Sequence, residues 1–116
     1  MVKLTEDNSQ NELKFKFPKA EKYYKFEENN KTIGMASINN DEQNKFYIYI
    51  NEIYRGKGYG KLLFSEMMKE LNSQNYNEVK VNCNANNIQM KKILDSNGAI
   101  PIAQTERTFK YIVSVK

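Results

Sequence analysis

The sequence predicts an α+β fold, a mixed and mainly antiparallel central sheet flanked by two main helices. Three observations predict it. Apolar and polar residues alternate through much of the first half of the chain; from Gly58 the apolar spacing lengthens to three and four; and a glycine-rich turn, Arg55-Gly56-Lys57-Gly58-Tyr59-Gly60-Lys61, stands where the period changes.

Residues 1–12 are polar and suit a short strand or a frayed arm. Leu13-Lys14-Phe15-Lys16-Phe17 alternates cleanly and reads as a strand stopped by Pro18. Tyr23 to Phe26 and Thr32 to Ile38 flank Glu28-Asn29-Asn30-Lys31, and asparagines between two alternating runs signal a hairpin turn. A second polar loop, Asn39 to Asn44, leads into Phe46-Tyr47-Ile48-Tyr49-Ile50, completing four antiparallel strands. Tyr59, Leu62, Leu63, Met67, Met68 and Leu71 then recur as one helix face, ended by Asn72-Ser73-Gln74-Asn75. Val79 to Cys83 is the next strand. Asn84-Ala85-Asn86-Asn87 supplies N-cap chemistry for a helix carrying Ile88, Met90, Ile93 and Leu94, which closes at Asn97-Gly98. Thr108 to Val115 is the last strand.

A chain of 116 residues, 40% of them hydrophobic, fits one domain over residues 1–116 with a modest core. No apolar run is long enough to span a membrane, and Met1-Val2-Lys3-Leu4-Thr5-Glu6-Asp7 is too polar and acidic for a signal peptide, so a cytoplasmic location is expected. Histidine is absent, which excludes Ser-His-Asp and Cys-His nucleophilic schemes and any imidazole base or metal ligand. Cys83 has no second cysteine to pair with, and its alternation with Val79 and Val81 makes it a buried strand residue. The net charge of +4 comes from sixteen lysines against two arginines spread along the chain. Lys14, Lys16, Lys19, Lys22 and Lys25 interleave with aromatic residues, but that alternation describes strands with one wet face, and no nucleic-acid partner is expected.

The glycine-rich turn carries the chemistry. A strand feeding such a turn and then a helix presents several backbone N–H groups to an anion at the positive end of the helix dipole. Gly56, Gly58 and Gly60 permit positive φ and close backbone approach, while Arg55, Lys57 and Lys61 add cations within reach. Two other phosphate loops do not fit. A Walker A loop needs Ser or Thr after Gly-Lys, where this chain has Leu62, and a dinucleotide fingerprint needs a final G-x-x-G and a carboxylate ending the next strand.

This order of elements, with that loop after the fourth strand, resembles the GNAT superfamily of acyl-CoA-dependent N-acetyltransferases over roughly residues 20–116. Arg55-Gly56-Lys57-Gly58-Tyr59-Gly60 is similar to the R/Q-x-x-G-x-G/A pyrophosphate loop, Ile48-Tyr49-Ile50 to the strand before it, and Asn87 to Gly98 to the second signature helix. The resemblance implies acetyl-CoA as acyl donor, its diphosphate held by Gly56, Lys57, Gly58, Tyr59, Gly60 and Lys61. It further implies that the backbone of Ile48 and Ile50 pairs with the pantetheine arm, that an N–H near Ile50 polarises the thioester carbonyl, and that Asn87 bonds the cofactor from the far side.

The same resemblance leaves the acid and base unassigned. The tyrosine that relatives often carry seven residues after the helix asparagine is Leu94 here, and the positions aligned with common carboxylate bases are Asn44 and Asn82. Tyr47, Tyr49, Tyr54, Tyr76, Glu42 and Glu52 are substitutes, each more simply read as packing or surface. With Leu13 to Phe17 as first strand, only Pro18 to Lys22 precede the second, too few for the two helices that normally wall the acceptor pocket. An open cleft suited to a protein amine, or one completed by a second subunit, is the expectation. The alternative to an enzyme is a catalytically degenerate coenzyme A binder acting as sensor or interaction protein.

Overall fold

The structure is a computed structural model that describes residues 2–6, 22–39 and 45–115. In order, its elements are β1 (Val2–Glu6), β2 (Lys22–Glu28), β3 (Lys31–Asn39), β4 (Lys45–Ile50), a short 3-10 turn (Glu52–Tyr54), α1 (Tyr59–Ser73), β5 (Glu78–Asn84), α2 (Ile88–Ser96), β6 (Ile100–Gln104) and β7 (Thr108–Ser114). The strands form one seven-stranded sheet in the order β1-β2-β3-β4-β5-β7-β6. Every pairing is antiparallel except that of β4 with β5.

Local signals account for most of these elements. Asn29 and Asn30 take φ of 52° and 65°, the left-handed backbone that a two-residue hairpin turn needs to follow strand twist. β3 is buried from Ile33 through Ile38, so it is an interior strand covered on both faces. α1 buries Leu63, Phe64, Met67 and Leu71, and the rings of Phe64 and Phe46 meet edge-on with centroids 6.1 Å apart. Leu62, expected on that face, is 38% exposed while Phe64 is buried. Spacings of three and four do not by themselves set which neighbour turns inward; the larger ring takes the place against β4. The end of α1 is tied to β2, where Gln74 Nε2 donates to the Tyr24 hydroxyl at 2.7 Å and Lys22 Nζ to Gln74 Oε1 at 2.9 Å. Residues from both helices and from five strands join one apolar cluster, in which Leu94 of α2 sits with Val81 and Cys83 of β5.

Two strands differ from expectation. The strand paired with β2 is Val2–Glu6, in register from Val2 opposite Glu28 to Glu6 opposite Tyr24. The strand expected at Leu13 to Phe17, and with it the short connection at Pro18 to Lys22, falls outside the described residues apart from Lys22. The connection between β1 and β2 spans residues 7–21, outside the described residues, and the expected open acceptor wall falls there. The second difference is β6, a strand with Pro101 inside it that the sequence pattern left unassigned. Proline is tolerated there because β6 is the sheet edge, with a register shift at Pro101 and Ala103.

Candidate functional site

β4 and β5 pair only at Lys45 with Lys80 and Phe46 with Val81. Beyond that point they separate, because β4 keeps its register with β3 as far as Ile50 whereas β5 follows β7 as far as Asn84. Asn51 N–H donates to the Ile33 carbonyl at 2.8 Å, so Asn51 faces β3. Successive residues of an antiparallel strand aim their backbone groups to alternate sides. Tyr49 therefore faces β3, and the N–H and C=O of Ile48 and Ile50 face the gap that β5 has left. The gap is a cleft of about 850 Å³ leading from these groups to the start of α1 and the inner face of α2.

At the α1 end the helix start is left without a capping side chain. Gly56 and Gly58 take φ of 79° and 84°, and Gly58 is the N-cap without any capping side chain. The first intrahelical bond runs from Leu62 N to the Gly58 carbonyl at 3.2 Å, which leaves the N–H groups of Tyr59, Gly60 and Lys61 without helical acceptors. No acidic residue occupies that first turn. Gly60 has a different reason to be small, since a Cβ there would lie 3.4 Å from Ile93 Cδ1 and 3.8 Å from Ile50 Cγ1. It is where α1, α2 and β4 converge.

On the opposite wall Asn87 caps α2, its Oδ1 accepting from Met90 N–H at 3.1 Å. That bond uses the oxygen and leaves the amide NH2 as the donor end. Asn84 Oδ1 accepts from Asn86 N–H at 2.9 Å, so the β5–α2 loop presents a row of short amides to the cleft.

Of the residues singled out in the sequence, Ile48, Tyr49, Ile50, Arg55, Gly56, Gly58, Gly60, Lys61 and Asn87 line the cleft together. Lys57 and Tyr59 do not. Tyr59 turns its ring away, edge-on to Tyr54 with centroids 6.1 Å apart, and its hydroxyl donates to Glu28 Oε1 at 2.6 Å. That bond stabilises the neutral phenol and raises its pKa above the usual value. Arg55 is on the wall, but its Nε donates to the Ile50 carbonyl at 2.9 Å and its guanidinium lies over the Tyr49 ring. Lining residues that sequence reasoning missed are Asn84, Asn86, Met90 and one stripe of α2, Gln89, Lys92, Ile93 and Ser96. Their spacing of three and four makes one helix face, which overlaps the apolar residues of α2 at Ile93.

Cys83 is buried, with Sγ 3.5 Å from the Asn84 carbonyl oxygen and 3.7 Å from that of Asn87. Burial raises its pKa, with Lys91 opposing the shift. Among the described residues no group of acidic, cysteine or histidine side chains could hold a metal ion, and no helix is long and apolar enough to cross a membrane.

Comparison with known proteins gives this geometry a context. Residues 3–114 match the family described as Acetyltransferase (GNAT) domain. The chain belongs to the GNAT acetyltransferase family. Solved GNAT structures share its fold at low identity. The ribosomal-protein-S18-alanine N-acetyltransferase from Escherichia coli superposes with a TM-score of 0.80 at 12% identity, covering 100% of this chain and 95% of that one. The Campylobacter jejuni N-acetyltransferase PseH, in complex with acetyl coenzyme A, gives 0.75 at 15% identity over 98% and 99% of the two chains. An N-acetyltransferase from Staphylococcus aureus gives 0.69 at 18%, over 82% and 68%. No curated protein matches in sequence.

Within this GNAT chain the residues at the usual acid and base positions take structural places. Leu94 is fully buried in the core. Asn82 lies opposite Lys110 on β7, and strand alternation puts it on the sheet face away from Val81 and Cys83. Asn44 and Glu42 fall outside the described residues. The phenols that line the cleft are those of Tyr49 and Tyr54, and no carboxylate lines it among the described residues.

Proposed function

We propose that this chain is an N-acetyltransferase that moves the acetyl group of acetyl-CoA to an amine by direct attack, with residues 1–116 acting as one acyl-CoA-binding domain. The observation that carries the proposal is the parting of β4 from β5, which aims the backbone of Ile48 and Ile50 into a cleft ending at the uncapped, glycine-built start of α1. An extended amide-bearing arm with a diphosphate at one end matches both features, since strand-like pairing takes the arm and fixed N–H donors take the diphosphate. The acetyl-CoA complex of the structural neighbour PseH supports the choice of donor.

In this scheme the cleft residues orient and polarise. Backbone N–H groups of Gly56, Lys57, Gly58, Tyr59, Gly60 and Lys61 hold the diphosphate, and the Asn87 amide bonds the arm from the other wall. The Ile50 N–H faces the developing oxyanion, whose stabilisation by a fixed donor is a major part of acyl-transfer catalysis. The amine nitrogen bonds to the acyl carbon as the carbon–sulfur bond breaks; the amine gives up one proton and the departing thiolate takes one. Tyr49 and Tyr54 are the tyrosines among the lining residues, and one of them is assigned the latter proton in this reading. Holding both reactants in one complex supplies much of the rate. The acceptor is read as a protein amine, by analogy with the neighbour named for a ribosomal-protein alanine.

One observation favours a second reading, a coenzyme A binder without turnover: Leu94 is buried and no carboxylate lines the cleft among the described residues. The deciding experiment measures free thiol released from acetyl-CoA with peptide and small amines present, alongside calorimetric titration of acetyl-CoA. Amine-dependent thiol release supports the enzyme, and tight binding without release supports the binder. No binding at millimolar donor rejects both.

A further inference from the structure

The middle of the glycine loop, Gly56-Lys57-Gly58, is exposed, and little in the fold holds it. A Cβ at Gly56 or Gly58 would meet nothing within 4 Å, and among the described residues no turn or loop backbone bond has Gly56, Lys57 or Gly58 as its donor. The shape of the loop is therefore set from its two ends. One end is Arg55, bonded to the Ile50 carbonyl of β4. The other is Tyr59, the first residue of α1.

Tyr59 reaches a segment distant from the loop in sequence. Its hydroxyl donates to Glu28 Oε1 at 2.6 Å, and Glu28 ends β2, opposite Val2 of β1 and Lys31 of β3. Strand alternation places Glu28 on the same sheet face as Phe26, which is buried in the core. A half-buried carboxylate on that face needs a hydrogen-bond donor, and the phenol supplies one. Bonds to an ionised acceptor are among the stronger ones two side chains can make. Tyr54 and Tyr59 flank the loop, and their edge-on contact draws its ends together. Neither Tyr59 nor Glu28 lines the cleft, so their effect on a bound donor has to pass through the loop.

We propose that Tyr59 and Glu28 are positioning residues for the donor: their bond pins the start of α1 to the β2–β3 hairpin and holds the N–H groups of the glycine loop in one arrangement before the diphosphate arrives. This inference rests on the donor assignment made above and deepens it. A loop already in its binding shape loses less conformational freedom on binding, which is the source of the gain in affinity. The charge of Glu28 is not what acts, since a carboxylate near the loop opposes a diphosphate. What Glu28 contributes is an acceptor for the Tyr59 hydroxyl.

The test is calorimetric titration of acetyl-CoA into the full chain and into Tyr59→Phe, Glu28→Ala, the double variant, Glu28→Gln and Tyr24→Phe, with urea denaturation of each. Tyr59→Phe and Glu28→Ala should each weaken acetyl-CoA by about fivefold, and the double variant by no more than either alone, because the same bond is lost in every case. Glu28→Gln keeps an acceptor without the charge and should bind within about twofold of the unmodified chain. Tyr24→Phe removes a hydroxyl that accepts from Gln74 at the far end of α1, so it should lower stability and leave donor affinity unchanged. Unchanged affinity in Tyr59→Phe, additive losses in the double variant, or a Glu28→Gln as weak as Glu28→Ala overturns the tether while leaving the donor assignment standing. An affinity loss in Tyr24→Phe equal to that in Tyr59→Phe also overturns it, since general loosening of the fold would then be the cause. Failure of acetyl-CoA to bind the unmodified chain removes the donor assignment and the positioning role together.

Discussion

The Nε of Arg55 donates to the carbonyl oxygen of Ile50 at 2.9 Å, and its guanidinium carbon sits 5.1 Å from the centre of the Tyr49 ring. The first residue of the glycine loop therefore clamps the last residues of β4. Ile50 aims its backbone into the cleft, so occupying its carbonyl fixes the peptide geometry beside its N–H. The arginine couples the glycine loop to the strand.

A clamp and a simple anion contact respond differently to substitution. A guanidinium reaches a carbonyl and a ring face together, which an ammonium does not reproduce. Arg55→Lys should therefore weaken acetyl-CoA nearly as much as Arg55→Met, each by about five- to tenfold, or about 1 kcal/mol. Titration of the three proteins checks this; full rescue by lysine would assign Arg55 to the phosphate instead.

Gly58 is needed for its backbone, since a Cβ there meets open space but φ is 84°. Gly58→Val should cost about 1–2 kcal/mol of stability from the left-handed conformation and abolish donor binding. Gly58→Asn should cost less, because asparagine visits that region more readily. Urea denaturation with donor titration on both variants separates backbone strain from steric blockage.

Gly34 illustrates the opposite case. Its Cβ would run into the backbone carbonyl of Tyr49, on the strand that forms the cleft wall. Backbone cannot rotate aside as a side chain can, so Gly34→Ala should destabilise the fold by about 1–3 kcal/mol. Donor affinity should fall more than that of an equally destabilised core variant such as Val79→Ala, because β4 itself is displaced.

Burial raises the Cys83 pKa, so the folded chain keeps the thiol proton at pH values where the unfolded chain loses it. The resulting stability is fully present below the ordinary thiol pKa, about 8.5, and is lost as pH rises through the folded value. Between about pH 8 and pH 10 the unmodified chain should lose more stability than Cys83→Ala, measured by urea denaturation at each pH. Thiol reagents should label Cys83 at neutral pH only after unfolding, as mass spectrometry can follow.

Interactions within a few residues of one another were open to reading from the sequence alone. Asn29 and Asn30 marked a turn because asparagine tolerates left-handed backbone, Gly58 opened a helix whose apolar spacing was plain, and Asn87 capped the next one. Ile48, Tyr49, Ile50, Arg55, Gly56, Gly58, Gly60 and Lys61 line the cleft together because the loop and its flanking strand are contiguous in the chain, and Asn87 joins them from the cap of α2.

What depends on distant segments was decided by tertiary structure. The partner of β2 is Val2–Glu6, and no local pattern ranked it above Leu13 to Phe17. β6 forms despite Pro101 because it lies at an edge, a fact of sheet order. Arg55 and Tyr59 looked like loop residues of one kind, yet one clamps β4 and the other bonds to Glu28, 31 residues earlier in the chain. Above all, the cleft exists because β4 stays with β3 while β5 stays with β7. Strand pairing across long separations balances loop closure against packing over the whole sheet, and no short stretch of sequence contains that balance.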